Sequence, residues 1–371
     1  MCAICASAAP AKLVPKKNRL TFLPAMPITS KHILISRTDN IGDIVLTLPM
    51  AARLKELNPG VRISMLCRRY AADVVRYCDD IDDVVEEEDV GENLYGFLRA
   101  SDIDTVILAQ PNRDLAKAAF FARVKHRIGN ARQKVYQLIY CNDRVRFSKG
   151  LSENHESQIN FEFLRPYGDS HIPTRQEIAD SYHFSIPVDA GIAAEFAPHA
   201  FNLILHTKSN GHGREWPVER YTALAQTLQQ QPGLRIWLTG SADEGKWLEQ
   251  HAGALLALPH VINTCGTMSL ARLTQFIAQA DGLIASGTGP LHLSAAIGQR
   301  TLGLFPPTRP MHPGRWAALG KRASNLCTDQ PSCQGCEKLR IMTCDCMLAI
   351  SVQSVLDVVQ GWITDSQASP Q

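Results

Sequence analysis

Short apolar segments alternate with helical segments in two series along this chain, and the alternation limits the fold more than any other feature of the sequence. Before a polar, proline-rich stretch, we predict strands at 33–35, 61–68 and 103–110 and helices at 44–57, 115–124 and 154–167. After it, we predict strands at 201–207, 234–240, 281–286 and 300–305 and helices at 217–230, 243–257, 269–280, 290–298 and 350–364. Such alternation is typical of parallel sheets with helices on both faces.

The length of 371 residues exceeds the size at which a single hydrophobic core stops growing, so the chain should form more than one domain. The fold class we predict is α/β, with two Rossmann-like doubly wound domains that face each other across a cleft. The expected divisions are an N-terminal extension (1–30), a first α/β domain (31–185), a linker (186–200), a second α/β domain with a cysteine-rich segment at 327–346 (201–349), and a C-terminal helix and tail (350–371).

The composition, with 45% hydrophobic and 20% charged residues, is that of a globular protein, and a net charge of +2 does not favour nucleic acid as a partner. Residues 73–92 hold ten acidic side chains, whereas residues 111–150 hold ten lysines or arginines. The basic segment is either a solvated face or a surface for an anionic substrate or membrane.

No apolar stretch reaches the roughly 18 residues that span a bilayer, and "MCAICASAAPAKLVPKKNRL" lacks the basic start of a secretory signal.

The segment "ILISRTDNIGDIVLTLP" (33–49) places an acidic residue, Asp43, inside a strand-to-helix connection. In a parallel sheet the loops that leave the carboxyl ends of strands form the ligand crevice, so residues 36–43 should face a substrate. One interpretation is that Asp43 caps the helix, where a carboxylate accepts backbone N–H bonds. Asp39 and Asn40 already offer capping groups just upstream, and this redundancy favours a functional role for Asp43.

The segment "ASGTGPLHLSAAIG" (285–298) combines a strand end, a small-residue turn and a helix that begins with Pro290. Glycines let a ligand approach the backbone closely, and the start of a helix presents free N–H groups to an anion. A diphosphate could therefore bind at this turn. The same residues also suit an ordinary tight turn, because Pro is favoured at the first position of a helix.

Two further loops of the second series carry side chains suited to a nucleotide. The loop "HTKSNGHGREWP" (206–217) carries Lys208, Ser209 and Arg214, which suit phosphate oxygens unless the loop is simply polar and exposed. The loop "TGSADEGKW" (239–247) carries Glu244, which either accepts bonds from ribose hydroxyls or occupies a helix start. Convergence of three such loops from one domain favours a nucleotide site.

A cluster of cysteines lies near the end of the chain, which has eleven in all. Without a recognisable secretory signal, this number indicates a reducing compartment, where clustered thiols bind metal or stay free. Cys333 and Cys336, followed by Cys344 and Cys346 and with Cys327 nearby, could bind a structural zinc or iron ion. Free or partly buried thiols are the alternative, because the Cys-x-Cys spacing is atypical of zinc ribbons.

Four blocks of this sequence are "RTDNIGDIVLTLPMAARLKELNPGVRI", "NHESQINFEFLRPYG", "HTKSNGHGREWP" with "LTGSADE", and "SGTGPLHLSAAIGQRTLGLFPPTRPMHPGRWAALG". In their order and spacing they resemble glycosyltransferase family nine, the bacterial heptosyltransferase-like enzymes of lipopolysaccharide core assembly. The resemblance implies a GT-B fold, a nucleotide-sugar donor on the second domain, an acceptor on the first, and inversion at the anomeric carbon.

The resemblance also implies roles for individual residues. Asp43 matches the family's catalytic carboxylate, Arg214 its phosphate-binding basic residue, and Glu244 the acidic residue that holds the donor ribose. The Thr-Gly and His of its Asp-Thr-Gly-x-x-His pattern are matched by Thr288, Gly289 and His292. This chain departs from the pattern at one position, because Gly287 stands where the family usually has Asp.

These features together predict an inverting glycosyltransferase that moves a sugar, with ADP-heptose as the favoured donor, to an anionic lipid-linked acceptor of the lipopolysaccharide core. Asp43 would act as the base, and Lys208, Arg214 and the amides near Thr288 would stabilise the leaving diphosphate without a metal ion. We expect the protein in the cytoplasm, in peripheral contact with the inner membrane. The alternatives are an autotransporter-type protein heptosyltransferase and a non-catalytic nucleotide-sugar-binding protein of the same fold.

Overall fold

The computed structural model of the protein describes residues 26–150, 152–196, 200–209, 211, 213–337 and 344–368. Most of the predicted N-terminal extension, residues 1–25, and the last three residues of the predicted tail lie outside the described residues. The described residues form two six-stranded sheets, each with helices packed on it. The predicted α/β architecture with two Rossmann-like sheets is confirmed.

The first sheet is parallel throughout and has the strand order β3-β2-β1-β4-β5-β6. All five residues of the central strand β1 are buried, because helices cover both faces of a doubly wound sheet. Its strands are β1 (His32–Ser36), β2 (Arg62–Cys67), β3 (Asp83–Glu86), β4 (Thr105–Leu108), β5 (His126–Asn130) and β6 (Asp143–Val145).

The second sheet is also parallel and has the order β12-β11-β10-β7-β8-β9, which repeats the connectivity of the first sheet. In both sheets the order reverses beside the first strand, between β1 and β4 and between β7 and β10. Ligands of doubly wound sheets bind at such switch points. Its strands are β7 (Phe201–His206), β8 (Leu234–Leu238), β9 (Val261–Asn263), β10 (Gly282–Ser286), β11 (Thr301–Phe305) and β12 (Ala323–Cys327).

The helices connect successive strands and cover the sheets. In the first half they are α1 (Ile41–Val45), α2 (Leu48–Leu57), α3 (Arg69–Arg76), α4 (Glu87–Val90), α5 (Leu94–Ala100), α6 (Arg113–Phe121), α7 (Gln137–Tyr140), α8 (Glu156–Asn160), α9 (Arg175–Asp180) and α10 (Ala190–Glu195), with a 3-10 helix at Phe161–Tyr167. In the second half they are α11 (Val218–Leu228), α12 (Ala242–His251), α13 (Gly253–Leu256), α14 (Leu270–Gln279), α15 (Gly289–Ala296), α16 (Pro313–Trp316), α17 (Gln334–Glu337), α18 (Asp345–Leu348) and α19 (Val352–Ala368). No described helix has the length and apolar character to cross a membrane.

The helix predicted at 44–57 is two helices, and the first begins three residues earlier than predicted, at Ile41. The break follows from Pro49, which has no N–H and whose ring would clash with the carbonyl of Val45 in a continuous helix. The helix predicted at 154–167 is likewise divided, into α8 and the 3-10 helix that contains Pro166. The stretch predicted as a linker, 186–200, includes the helix α10.

Five short strands were absent from the sequence prediction: β3, β5, β6, β9 and β12. Four of these, all except β5, form the outer edges of the two sheets. An edge strand is only partly covered, so it tolerates polar residues and gives no apolar run. β3, for example, has the sequence DVVE inside the acidic segment, and its four side chains are half-buried.

The two halves touch where α1 meets the start of α15. A Cβ atom added to Gly289 would lie 2.2 Å from Cγ2 of Ile41, and one added to Gly42 would lie 3.0 Å from Cδ2 of His292. Glycine is therefore required at 289 for this approach of two backbones. Nε2 of His155 also lies 3.0 Å from the carbonyl oxygen of Ala317, which links the halves behind the contact.

Candidate active site

A cleft of about 660 Å³ lies between the carboxyl ends of the two sheets. Loops that follow β1 and β2 line one wall, and loops that follow β7, β8, β10 and β11 line the other. The cleft therefore lies at the switch points of both sheets. Seven of the eight residues predicted from the sequence to act in catalysis or donor binding line it: Asp43, Ser209, Arg214, Glu244, Thr288, Gly289 and His292.

Asp43 is the third residue of α1, and its carboxylate is paired with the guanidinium of Arg37. The residue at the N-cap position is Asn40, and its side chain makes no capping hydrogen bond. Among the described residues, the Asp43 carboxylate shows no bond from a backbone N–H that would make it a cap. Its side chain is 20% exposed and reaches the cleft.

A buried network of charges surrounds Asp43. The Arg37 side chain is 2% exposed; its Nε lies 2.7 Å from Oδ1 of Asp39, and its Nη2 lies 3.7 Å from Oε1 of Glu156. Glu156 is equally buried and also pairs with Lys149, at 2.6 Å, and with Arg315. Arg315 belongs to the second half, so this chain of charges crosses from one half to the other.

The network separates the proton affinities of its two buried carboxyl groups. Burial raises the pKa of Asp43 to about 6, although the positive charge of Arg37 opposes the shift. Burial also acts to raise the pKa of Glu156, but the charges of Lys149, Arg315 and Arg37 outweigh it and the pKa is lowered. Glu156 therefore stays ionised, whereas Asp43 exchanges its proton close to neutral pH, as a general base should.

No role was predicted from the sequence for Arg37, Lys149, Glu156 or Arg315. All four lie inside segments already singled out. Arg37 precedes the turn that holds Asp43, Glu156 lies in "NHESQINFEFLRPYG", Arg315 lies in the block that ends "MHPGRWAALG", and Lys149 lies in the basic segment 111–150. The available signal was residue type, because a charged residue next to a buried strand or in an apolar helix needs a partner. The sequence does not indicate which residue the partner of each charge is.

On the opposite wall, α15 begins with Gly289 and Pro290 directly after β10, and Thr288 is its N-cap residue. Thr288 makes no capping bond with its side chain, and within the described structure its buried Oγ1 has no hydrogen-bond partner. The same holds for the buried Nδ1 of His292 one turn later. Burial lowers the pKa of His292 to about 4, so its ring is neutral at physiological pH. Two residues with unpartnered polar atoms thus line the cleft at the start of this helix.

The loop after β7 uses several of its polar groups internally. The Lys208 ammonium lies 2.6 Å from Oε2 of Glu215 and 3.7 Å from the ring centre of Trp247. The backbone N–H of Ser209 donates to Oε1 of Glu215 at 2.8 Å, and its hydroxyl lies 3.0 Å from the same oxygen. Among the described residues, Lys208 is not one of those that line the cleft. Its charge is matched by Glu215, a pairing that the sequence analysis missed.

Arg214 occupies a different position in the same loop. Arg214 is one of the residues that line the cleft, although it is only 4% exposed. Nη2 of Arg214 donates to the carbonyl oxygen of Cys336 at 3.1 Å, which fixes the guanidinium from behind. The loop therefore brings a positively charged residue into the wall of the cleft, beside the turn that precedes α15.

Glu244 is both a helix-start residue and a cleft residue. It is the third residue of α12, where its carboxylate accepts the N–H of Ser241 at 2.7 Å in a capping box. A carboxylate has lone pairs beyond the one that this bond uses. Met268, Leu270 and Leu273 line the cleft as well and supply an apolar surface for a flat ring. The two interpretations of Glu244 are therefore compatible.

The sulfur atoms of Cys333, Cys336, Cys344 and Cys346 all lie within 4.8 Å of one another. They form the one group of metal-ligand side chains detected in the described part of the chain, and none of them lines the cleft. Cys327 is not part of the group: it ends β12, and its thiol lies 3.5 Å from the carbonyl oxygen of Thr328.

Comparison with known proteins agrees with this geometry. The model of glycosyltransferase family 9 (heptosyltransferase) matches residues 93–344, more than half of the chain. Lipopolysaccharide heptosyltransferase 1 of Escherichia coli K12 is 26% identical over 303 residues, which cover 75% of this chain and 89% of that enzyme. Lipopolysaccharide heptosyltransferase 1 of Pseudomonas aeruginosa is 25% identical over 330 residues, with coverage of 83% and 86%.

The fold is also that of a solved heptosyltransferase. The structure of E. coli ADP-heptose LPS heptosyltransferase II superposes with a TM-score of 0.72 and 17% sequence identity, covering 91% of this chain and 99% of that one. This likeness confirms the GT-B arrangement predicted from the sequence, with its cleft between two Rossmann-like sheets. Together with the family match, it establishes that the chain belongs to glycosyltransferase family 9, the heptosyltransferase family, and is a glycosyltransferase.

Proposed function

We propose that this enzyme transfers heptose from ADP-heptose, with inversion, to an anionic lipid-linked saccharide of the lipopolysaccharide core. One observation carries the proposal: Asp43, with a pKa of about 6, shares a cleft with the start of α15 and the unpartnered Oγ1 of Thr288 and Nδ1 of His292. A base on one wall and an anion site on the other are what inverting transfer from a nucleotide sugar requires.

The donor lies against the second half. Its diphosphate meets the free N–H groups of Gly289 and Leu291 at the start of α15, where the helix dipole favours an anion. Thr288 and the neutral His292 donate hydrogen bonds to phosphate oxygens, and Arg214 supplies a full positive charge. The ribose hydroxyls bond to Glu244, and the base packs on the apolar surface of Met268, Leu270 and Leu273. The E. coli relative is named for ADP-heptose, which supports this choice of donor.

The transfer step needs few groups. Asp43 takes the proton from the acceptor hydroxyl while the oxygen of that hydroxyl forms a bond to the anomeric carbon. The bond from that carbon to the diphosphate oxygen breaks, and ADP leaves with the electron pair. Because the base and the diphosphate site lie on opposite walls, the nucleophile enters on the face opposite the leaving group, which gives inversion.

The transfer step as proposed requires no metal ion. Arg214 and the start of α15 neutralise the charge that develops on the diphosphate, in the way that a cation would. The cysteine group does not line the cleft, so a metal held there would have a structural role.

The acceptor approaches the first half. Arg68 and Tyr70 line the cleft after β2, and exposed cations follow the carboxyl ends of β4 and β5, at Arg113 and in the loop 131–136. An acceptor that carries phosphates or acidic sugars is attracted to this edge. The basic segment noted in the sequence thus contributes cations to the acceptor side of the cleft.

The same edge carries exposed apolar side chains suited to a membrane surface. Val135 is 76% exposed, Ile139 is 63% exposed and Leu138 is 42% exposed, and Arg132 and Lys134 are exposed beside them. Apolar side chains flanked by cations are the composition that binds the interface of an anionic bilayer. We therefore place the enzyme on the cytoplasmic face of the inner membrane, where a lipid-linked acceptor is found.

The test measures ADP release from ADP-heptose with and without a lipid A precursor as acceptor, with Asp43→Asn as the matched inactive variant. Acceptor-dependent release by the wild type, lost in the variant, supports the proposal. Release with a protein acceptor alone would identify a protein heptosyltransferase instead. Binding of ADP-heptose without release to either acceptor would identify a non-catalytic binding protein. Binding of another nucleotide sugar in preference to ADP-heptose would overturn the donor assignment.

A further inference from the structure

Four cysteine side chains meet at a single point outside the lining of the cleft. Two come from the start of α17 and two from the start of α18, and their sulfurs lie within 4.8 Å of one another. Tetrahedral thiolate sites have metal–sulfur bonds of about 2.3 Å, which places the sulfurs about 3.8 Å apart. Sγ of Cys336 and Sγ of Cys344 are 3.0 Å apart, so the group needs little adjustment to surround one ion.

The crowding of these sulfurs is explained better by one shared cation than by four separate thiols. Cys336, Cys344 and Cys346 are buried in the hydrophobic core of the second half, and Cys333 is half-buried. The backbone N–H of Cys333 donates to Sγ of Cys346 at 3.2 Å, a bond that an anionic sulfur accepts well. Buried thiolates in mutual contact repel each other unless a cation lies between them. Zinc and iron are the metals that such soft sulfur ligands select.

The cysteine segment and the residues just after it are tied to the loop after β7 at two places. The carbonyl oxygen of Cys336 accepts a hydrogen bond from Nη2 of Arg214, which lines the cleft. Two residues further along that loop, Nε1 of the buried Trp216 donates to the carbonyl oxygen of Ile350 at 3.0 Å. The position of the Arg214 guanidinium therefore depends on the backbone around the cysteines.

We propose that Cys333, Cys336, Cys344 and Cys346 bind one zinc or iron ion through four thiolates, and that this ion positions Arg214 for the donor diphosphate. The ion makes no contact with the sugar and takes no part in bond breaking. It holds the two short segments together, and Arg214 follows the Cys336 carbonyl. The second half of the proposal rests on the proposed function, because it assigns Arg214 to the donor.

The metal itself is tested by elemental analysis of protein purified anaerobically without chelator. We expect one zinc or iron ion per chain in the wild type and its loss in Cys336→Ser and Cys344→Ser. Cys327→Ser is the matched control, because Cys327 lies nearby in sequence but outside the group, and it should retain the ion. Absence of stoichiometric metal in the wild type overturns the site, and so does a Cys336–Cys344 disulfide found by mass spectrometry.

The coupling is tested by calorimetric titration with ADP. Loss of the ion, in Cys336→Ser or in wild type treated with a chelator and a reversible thiol reagent, should weaken ADP binding by about tenfold because one charge-assisted contact is misplaced. Circular dichroism checks that the sheets persist. In an Arg214→Ala background, loss of the ion should weaken ADP binding no further, because the two changes act on one contact.

The outcomes separate the two assignments. Unchanged ADP affinity after loss of the ion in the wild type overturns the positioning role while the metal count stands. A further loss of affinity in the Arg214→Ala background also overturns it. Unchanged ADP affinity in Arg214→Ala with its ion present overturns the donor role of Arg214 in the proposed function, and the metal count again stands by itself.

Discussion

The two walls of the cleft differ in how their polar groups are stabilised. The wall from the first half is a network of buried ionised groups, in which Arg37 lies among Asp39, Asp43 and Glu156. The wall from the second half is built on the start of a helix and on the neutral polar groups of Thr288 and His292.

The contrast matches what the proposed mechanism requires of each wall. A proton acceptor must change its charge during turnover, so its pKa has to be adjusted by neighbouring charges and by burial. A diphosphate site keeps its charge throughout and gains more from donors that are already oriented and need not reorganise. The same sheet connectivity provides both, because the loops at the carboxyl ends of the two sheets carry different side chains.

The largest expected effect comes from removing the carboxylate charge of Asp43, on the wall from the first half. Asp43→Asn preserves size, so donor binding should be nearly unchanged while kcat falls by roughly a hundredfold or more, as is typical of losing a general base. The measurement is ADP released per unit time with acceptor present. A variant that transfers sugar at a near wild-type rate would show that Asp43 has only a structural role.

On the diphosphate wall, Arg214→Ala should weaken ADP binding and slow transfer together, by about ten- to a hundredfold, because a charge-assisted bond is lost both before and during bond breaking. Titration calorimetry measures the first effect and steady-state kinetics the second. Arg235→Ala is the control, since Arg235 is the second residue of β8, towards the end away from the cleft. Equal behaviour of the two variants would contradict the assignment.

The contact between the walls can be disturbed directly. Gly289→Ala places a methyl group 2.2 Å from Cγ2 of Ile41, so the two helix starts must separate and activity should fall by about tenfold, in line with overpacking costs of about 1–3 kcal/mol. Ile41→Ala removes that methyl group. The double variant should therefore regain activity, and failure of this rescue would show that close approach of the walls is not the cause.

The fall in rate at acidic pH should come from protonation of Asp43, on the wall from the first half. In the proposed mechanism Asp43 must be ionised to accept the proton, so kcat/KM should fall on the acidic side of its pKa of about 6, by about tenfold for each further pH unit. Lys149→Met should move this limb to higher pH, because the lysine charge lowers the pKa of Asp43. A rate that stays constant down to pH 5 would exclude Asp43 as the base in the free enzyme.

The smallest expected effect is that of Lys208→Met. Its ammonium group is paired with Glu215, which keeps its bonds to Ser209 when the lysine is removed. ADP affinity should therefore change by less than about threefold, as expected for a cation that is already paired. A loss as large as that in Arg214→Ala would show that Lys208 leaves Glu215 and binds the diphosphate.

Sequence patterns predicted the central parts of both sheets and the loops that meet at the cleft. Buried strands such as β1 and β10 leave an apolar run, and the residues after them mark the ligand crevice in a doubly wound sheet. The polar edge strands left no such run. Residue type suggested Lys208 and Arg214 equally, and only the structure showed that Glu215 pairs with the first and that the second lines the cleft.

The order of residues in this chain is enough to specify two doubly wound sheets and an acidic residue at the first switch point, because strand periodicity and turn chemistry are local. Folding decides whether that acidic residue can act. Arg37 and Glu156 pair with each other although they lie more than a hundred residues apart in sequence, and Arg315 comes from the other half. The pKa of Asp43 depends on how far these groups exclude water and how closely their charges approach. Both are properties of the packed interior and leave no pattern in the sequence around residue 43.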